Sequence, residues 1–167
     1  MQASKYLSPS DVEKLGLDKL PVFQELHRDD LENLLSVCQI RKFSAGDHII
    51  KTGQSDPWLY IMLDGKASVV VKDIEVTVIH SRGALFGEAA LIDTSARKAD
   101  VIALTDCECL GIDSILMEEV LCTTNMIFYA HFYKHITAML SERLTKTSEE
   151  LTLVKKAFNQ VISINMK

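Results

Sequence analysis

The feature that most constrains the fold is a series of short apolar segments between residues 40 and 113, separated by glycines. From Ile40 onward the apolar residues recur with the period of strands rather than helices. The glycines at 46, 53 and 65 fall between segments, where a tight turn favours a residue without a side chain. The segments are Arg41–Gly46, His48–Gly53, Trp58–Gly65, Lys66–Val71, Glu75–Ile79, Val101–Leu104 and Cys107–Ile112. This spacing predicts a jelly-roll-like β-barrel, with a tight turn at Lys72–Asp73.

Helical segments are predicted before this barrel. Ser10 followed by Glu13 forms a capping box, which predicts a short helix near the N-terminus. A further helix is predicted from His27 to Gln39, because its apolar residues share one helical face. These residues are Leu31, Leu34, Leu35 and Cys38.

Helices are also predicted after the barrel. Ser114 is placed to cap a helix over Ile115–Leu121. A second helix is predicted to start near Thr124 or Asn125 and to run close to the end, since no glycine or proline follows Gly111. The fold class is therefore α+β, with an N-terminal helical segment (1–39), a β-roll (40–113) and C-terminal helices (114–167).

The last helix carries a heptad pattern that predicts a homodimer. Apolar residues fill the a and d positions, with Thr147 as a weaker d residue. Glu150 at g and Lys155 at the following e have the spacing of an interchain salt bridge in a parallel pair. The a and d residues are Leu144, Leu151, Val154, Phe158 and Val161. The alternative is a single amphipathic helix that packs on its own domain.

The stretch from Phe86 to Val101 has the properties of an anion site. Gly87 allows the backbone to approach a ligand closely, and the helix start predicted beside it offers backbone N–H groups to an anion. Arg97 provides a permanently charged planar fork that matches phosphate oxygens. Glu88 repels phosphate, so its presence favours a ligand that also carries hydroxyl donors, such as a nucleotide ribose.

These residues resemble a known family. The pattern Phe86-Gly87-Glu88-x-Ala90-Leu91-Ile92, followed by Arg97-x-Ala99-x-Val101, is similar to the phosphate-binding cassette of cyclic nucleotide-binding domains, here as a stand-alone domain. That family includes the bacterial catabolite activator, kinase regulatory subunits and cyclic-nucleotide-gated channels. The resemblance implies that Glu88 holds the ribose 2′-hydroxyl, that Arg97 pairs with the cyclic phosphate, and that N–H groups of Gly87 and Ala89 complete the site. The ligand-binding set it implies is Phe86, Gly87, Glu88, Ala89, Ala90, Arg97, Lys98 and Ala99.

The stretch departs from the family pattern at three positions. Ala96 stands where proline is usual, Lys98 where a small residue is usual, and Asp100 where threonine is common. Lys98 and Asp100 alternate with the inward positions, which favours an orientation toward solvent. Because Lys98 matches neither the cyclic AMP nor the cyclic GMP pattern, the ligand is left as either nucleotide.

Composition excludes several other classes. A net charge of −5 argues against nucleic acid as the direct partner, since a phosphate backbone needs a basic surface. No apolar run approaches the roughly 20 residues of a membrane span, and no signal peptide is evident, so a cytoplasmic location is expected. The cysteines lack zinc-type spacing and are expected to be reduced core residues, so no metal is predicted. They are Cys38, Cys107, Cys109 and Cys122.

The favoured function is a cyclic AMP or cyclic GMP sensor that signals through movement of its C-terminal helices. The alternative is a scaffold or dimerisation module that keeps the fold without a ligand. An enzyme is not expected, because His48 and His80 stand alone and no nucleophile or phosphate-loop motif is present. A DNA-binding activator would need a helix-turn-helix after Leu144, where a continuous helix is predicted. On these grounds Arg97→Ala is expected to abolish binding and leave the fold intact.

Overall fold

The structure is a computed structural model that describes residues 2–24, 27–92, 96–124 and 126–165. The chain divides into two compact units, residues 1–130 and residues 131–167. The helices are α1 (Pro9–Leu15), α2 (Arg28–Leu35), α3 (Ser114–Thr124) and α4 (Met126–Asn165), with 3₁₀ turns at Leu17–Lys19, Pro21–Phe23 and Glu88–Leu91. The strands are β1 (Gln2–Tyr6), β2 (Cys38–Phe43), β3 (His48–Ile50), β4 (Trp58–Asp64), β5 (Ala67–Val71), β6 (Ile74–Ile79), β7 (Leu85–Phe86), β8 (Asp100–Ala103) and β9 (Cys107–Asp113).

The strands of the first unit form two antiparallel sheets. One sheet has the order β1-β2-β9-β4-β7 and the other has the order β3-β8-β5-β6. The predicted α+β fold with a β-roll is confirmed. Sequence analysis missed β1 and the two-residue strand β7. The predicted turn at Lys72–Asp73 joins β5 to β6, and both residues adopt left-handed φ values of 50° and 63°. Beyond this turn, Val69 and Val70 pair with Thr77 and Glu75, which leaves Val76 as a bulge.

The core of the first unit lies where residues of both sheets pack together. In β4, β8 and β9 its members come from alternate positions, as expected when one face is buried, whereas β3 contributes the consecutive residues Ile49 and Ile50. The members include Phe43, Ile49, Ile50, Tyr60, Met62, Ala67, Ile79, Phe86, Val101, Ala103, Cys107 and Cys109. Cys38, Cys107 and Cys109 are buried free thiols, as predicted, whereas the side chain of Cys122 lies outside the described residues. Burial raises the pKa of Cys38, so this thiol stays neutral.

Several helix ends differ from the predicted ones. Helix α1 starts at Pro9, and its capping box is formed by Ser8 and Asp11 rather than by Ser10 and Glu13. The Ser8 N–H donates to the Asp11 carboxylate at 2.9 Å. Helix α2 stops at Leu35, and the chain enters β2 at Cys38, which pairs with Ile112 of β9.

The C-terminal helices are close to the prediction. Ser114 is the first residue of α3 rather than its cap, and α3 continues to Thr124. Helix α4 runs without a break from Met126 to Asn165, as the lack of glycine and proline predicted. Within the described residues no helix is both long enough and apolar enough to span a membrane.

Asp100 connects β8 by hydrogen bonds to the turn that follows β3. Its carboxylate accepts hydrogen bonds from the Thr52 N–H at 2.9 Å and from the Thr52 hydroxyl at 3.0 Å. The Thr52 N–H is the main reason why the pKa of Asp100 lies below its ordinary value of 3.8. Asp100 is half-buried rather than directed to solvent as predicted, and its role at the threonine position is therefore structural.

Gly65 is required by the turn between β4 and β5. Its φ is 101°, and a Cβ at this position would lie 2.5 Å from the Asp106 carbonyl oxygen. Gly46 has a similar φ of 90° but open space around it.

We expect Gly65→Ala to lower the free energy of unfolding by more than the roughly 1–3 kcal/mol of backbone strain alone, because a clash is added. Gly46→Ala is the matched control, and urea unfolding measures both. Equal losses in the two variants would contradict the steric argument.

The hydrogen bonds to Asp100 predict a pH-dependent contribution to stability. Because the pKa is lowered in the folded state, the contribution is present above the ordinary value of 3.8 and is lost as the pH falls through the folded value. We expect Asp100→Asn to be less stable than wild type at pH 7, with the difference shrinking below pH 4. Thermal unfolding across this range tests it, with Asp64→Asn, at an exposed aspartate, as the control. A difference that stays constant down to the lowest pH would refute this assignment.

Candidate functional site

The candidate site begins where β7 ends at a glycine. Gly87 has a φ of 77° and leads directly into the 3₁₀ turn Glu88–Leu91. A Cβ on Gly87 would lie 3.0 Å from Cδ1 of Ile50 and 3.1 Å from the carbonyl oxygen of Trp58. The backbone therefore packs against the interior of the β-roll at this point, and only glycine combines this φ with this close approach.

Arg97 lies in the interior and is bound on several sides. Only 6% of the residue is exposed. Its Nη2 forms an ion pair with Oδ1 of Asp56 at 2.7 Å and donates to the Trp58 carbonyl at 2.6 Å. Its Nη1 donates to the Gly87 carbonyl at 2.9 Å. The structure thus brings together Gly87 and Arg97, ten residues apart in sequence, and excludes a solvated surface arginine.

The main chain at Arg97 is fixed as well. The Arg97 N–H donates to the Gln54 carbonyl at 2.9 Å, and the Arg97 carbonyl accepts from the Gly53 N–H at 2.9 Å. An alanine at position 97 would leave Asp56 and the carbonyls of Trp58 and Gly87 with a lost partner. Leaving a buried polar group without its partner costs about 1–3 kcal/mol, so Arg97→Ala is expected to lower the free energy of unfolding as well as the affinity for a ligand.

The other predicted site residues occupy a range of environments. Phe86 is buried, and its ring stacks on Tyr60 with centroids 5.4 Å apart. Ala90 is buried, whereas Glu88 and Ala99 are half-buried. Ala89 and Lys98 are exposed, which agrees with the predicted outward direction of Lys98.

Sequence analysis missed Asp56, Trp58 and Tyr60. Asp56 is 41 residues before Arg97, and no local pattern indicates that the two side chains meet. Asp56 precedes Pro57 at the entry of β4, so the sequence around it indicates only a turn. Its side chain is 27% exposed, whereas that of Arg97 is 4% exposed. Asp56 therefore lies at the edge of the site and Arg97 inside it.

The charged and polar groups of the site are suited to binding an anion. The Arg97 guanidinium is a permanent cation. Burial raises the pKa of the Tyr60 phenol, which makes it a neutral hydrogen-bonding group and not an acid. In the described ranges of the chain, no cluster of histidine, cysteine or carboxylate side chains is arranged to hold a metal ion. A buried cation next to a glycine turn is an arrangement that can hold an anion.

Comparison with known proteins agrees with this geometry. The family profile described as cyclic nucleotide-binding domain matches residues 40–123. The chain is similar to the cGMP-dependent protein kinase of Plasmodium berghei, with 33% identity over 113 residues. The match covers 68% of this chain and 13% of the kinase, so the chain spans a small part of that relative.

Two solved structures resemble the fold. The regulatory domain of Toxoplasma gondii PKA, co-crystallised with cAMP, superposes with a TM-score of 0.65 at 20% identity and covers 80% of this chain and 50% of that one. The catabolite activator protein of Thermus thermophilus gives a TM-score of 0.65 at 24% identity, over 81% of this chain and 63% of that one. Because the family profile covers half of the chain and includes the whole stretch from Phe86 to Val101, the chain belongs to the cyclic nucleotide-binding domain family.

Proposed function

We propose that this chain is a sensor module for cyclic AMP or cyclic GMP. The observation that supports this most directly is the hydrogen bond of the buried Arg97 side chain to the Gly87 carbonyl, because it joins the glycine and the arginine of the stretch that resembles the cassette. Both nucleotides remain candidates, because one similar protein is named a cGMP-dependent kinase and one similar structure was solved with cAMP.

In this proposal the cyclic phosphate binds at Nη1 of Arg97. Nη1 carries two N–H groups, and among the described residues its acceptor is the Gly87 carbonyl. A phosphate oxygen would be the second acceptor, while Asp56 retains Nη2 and holds the guanidinium in place. Backbone N–H groups of Gly87 and Ala89 complete the phosphate site, and Glu88 accepts from the ribose 2′-hydroxyl. Phe86, Ala90, Lys98 and Ala99 complete the proposed set.

The cassette is joined to the first C-terminal helix. The Ser114 hydroxyl, at the start of α3, donates to the Ala90 carbonyl at 3.2 Å, and Ser114 is buried. The Ser114 N–H donates to the Pro57 carbonyl at 3.0 Å, next to Asp56. A shift of the 3₁₀ turn on ligand binding would therefore be transmitted to α3. We propose that the signal leaves the β-roll (40–113) through the C-terminal helices (114–167) in this way.

We also propose that α4 pairs with α4 of a second copy. The heptad residues that the sequence identified are all exposed, by 51% to 69% of their surface. They are Leu144, Leu151, Val154, Phe158 and Val161. Exposed apolar side chains at a and d positions are the usual components of a coiled-coil seam. Glu150 and Lys155 provide charge complementarity between parallel chains, which favours a second copy over an unrelated partner.

A second candidate is a scaffold that keeps this fold without a ligand. A scaffold of this kind would be disfavoured if the Arg97 side chain had no partner in the absence of a ligand. Asp56 and the carbonyls of Trp58 and Gly87 pair with the guanidinium within the chain, so Arg97 does not exclude a scaffold. Thermal unfolding separates the two candidates, since a ligand that binds the native state raises the melting temperature. Neither candidate is an enzyme, and a cytoplasmic location remains a prediction.

The sensor proposal predicts a selective loss of affinity in Arg97→Lys. Lysine keeps the charge but loses the planar fork, and a charge-assisted hydrogen bond is worth about 1.5–3 kcal/mol, so cyclic nucleotide should bind about tenfold more weakly or worse. Titration calorimetry with cyclic AMP and cyclic GMP measures this, with AMP as the ligand control. Arg28→Lys is the matched variant, because Arg28 is an exposed arginine of α2 paired with Glu32. Wild-type affinity in Arg97→Lys would show that the phosphate lies elsewhere.

The dimer proposal predicts that a charge at an a position of α4 disrupts the dimer, whereas a charge two residues further along the helix does not. Leu151 is at an a position and is 51% exposed, whereas Leu153 is off the seam and is 66% exposed. We expect Leu151→Glu to convert the dimer to a monomer, because a carboxylate cannot be buried in the seam, and Leu153→Glu to leave it unchanged. Sedimentation equilibrium gives the mass of each. A monomeric wild type, or an equal effect of both changes, would rule out this seam.

A further inference from the structure

A second arginine lies in the interior of the β-roll, and the proposed site does not use it. Arg41 is on β2 and is 8% exposed. Arginine is seldom buried to this extent, because removing a guanidinium from water is costly unless its surroundings compensate. Sequence analysis treated Arg41 only as the first residue of a strand segment, so the burial of its side chain calls for a physical reason.

Two aromatic residues of β4 contact the Arg41 side chain. Its Nη1 donates to the Tyr60 hydroxyl at 2.7 Å. Its guanidinium carbon lies 4.4 Å from the centroid of the Trp58 ring and 5.6 Å from that of the Tyr60 ring, which are cation–π distances. Arg41 thus fixes the side chains of both residues from one side.

Arg41, Trp58 and Tyr60 form a stack, and Gly111 of β9 leaves space for it. A Cβ on Gly111 would lie 2.8 Å from Cδ of Arg41 and 3.2 Å from Cε3 of Trp58. The φ of Gly111 is not in the left-handed region, so its backbone would accept another residue. Glycine is therefore required at position 111 for steric reasons alone, because a larger residue would clash with the side chains of Arg41 and Trp58.

Trp58 and Tyr60 are also the residues against which the cassette lies. The Trp58 carbonyl accepts from Nη2 of Arg97 at 2.6 Å. The Tyr60 ring is stacked on Phe86, and its Cδ2 is 3.6 Å from the position that a Cβ on Gly87 would take. Whatever fixes Trp58 and Tyr60 therefore also fixes the carbonyl that orients Arg97 and the surface that supports Gly87.

We propose that Arg41 is a positioning residue for the anion site: by holding Trp58 and Tyr60 from inside the β-roll, it sets the orientation of Arg97 and Gly87. This inference rests on the proposed function for its effect on ligand affinity. Its statement about Arg97 concerns the ligand-free protein and is tested without a nucleotide.

The test uses two different ways of disturbing the stack. Arg41→Met removes the guanidinium but keeps a long apolar chain, and Gly111→Ala keeps Arg41 but takes its space. Ile112→Val is the control, because Ile112 is buried on β9 and points to the opposite face of the same strand. All variants are compared at a temperature at which circular dichroism shows them fully folded.

The first measurement is made without ligand. The side-chain N–H signals of Arg97 are followed by heteronuclear NMR and assigned by their loss in Arg97→Lys. We expect Arg41→Met and Gly111→Ala to speed their exchange with water about tenfold, as loss of one charge-assisted hydrogen bond would. Trp58 is the single tryptophan of the chain, so its fluorescence should also change in both variants and not in Ile112→Val. Unchanged Arg97 signals in both variants overturn the proposal.

The second measurement is calorimetric affinity for cyclic AMP and cyclic GMP. If the wild-type protein binds one of these nucleotides, Arg41→Met and Gly111→Ala should bind it about tenfold more weakly. Ile112→Val should bind it with wild-type affinity. Normal affinity in both variants overturns the role of Arg41 at the site. A wild type that binds neither nucleotide refutes the sensor function instead, and the exchange measurement still decides whether Arg41 positions Arg97.

Discussion

The ion pair between Arg97 and Asp56 is the interaction on which the arrangement of the site depends. Removing a guanidinium from water is acceptable only when its N–H groups find acceptors, and here a carboxylate and carbonyls of separate segments supply them. Those acceptors belong to the entry of β4 and to the start of the 3₁₀ turn. The pair therefore links segments that are far apart in sequence, and their relative positions follow from the geometry of one planar group.

Parts of this structure were predictable because they rest on local chemistry. Glycines between short apolar segments predicted the strands, and the unbroken C-terminal sequence predicted α4. The end of α2 was less predictable, because Cys38 fits both the apolar face of a helix and the first pair of β2 with β9. Strand β7 has two residues and ends at the first residue of the cassette, so it had no periodicity to detect.

The interior of the site was not predictable in the same way. The pairing of Arg97 with Asp56, and the stack of Arg41 on Trp58, join residues from separate segments of the chain. A single sequence shows such residues only as isolated charges and aromatics. Gly111 illustrates the difficulty: without the structure it indicates a possible turn, whereas in the sheet it makes room for two side chains of neighbouring strands.

The edge strand β6 has a consequence for the protein in concentrated solution. It is the last strand of its sheet, and Ile74 and Val76 expose 68% and 60% of their surface. An apolar strand with an open edge is a template to which another chain can add, which leads to aggregation. The bulge at Val76 interrupts the regular spacing of N–H and C=O groups that such an addition requires. The protection of this edge against aggregation thus lies in its backbone geometry more than in the polarity of its side chains.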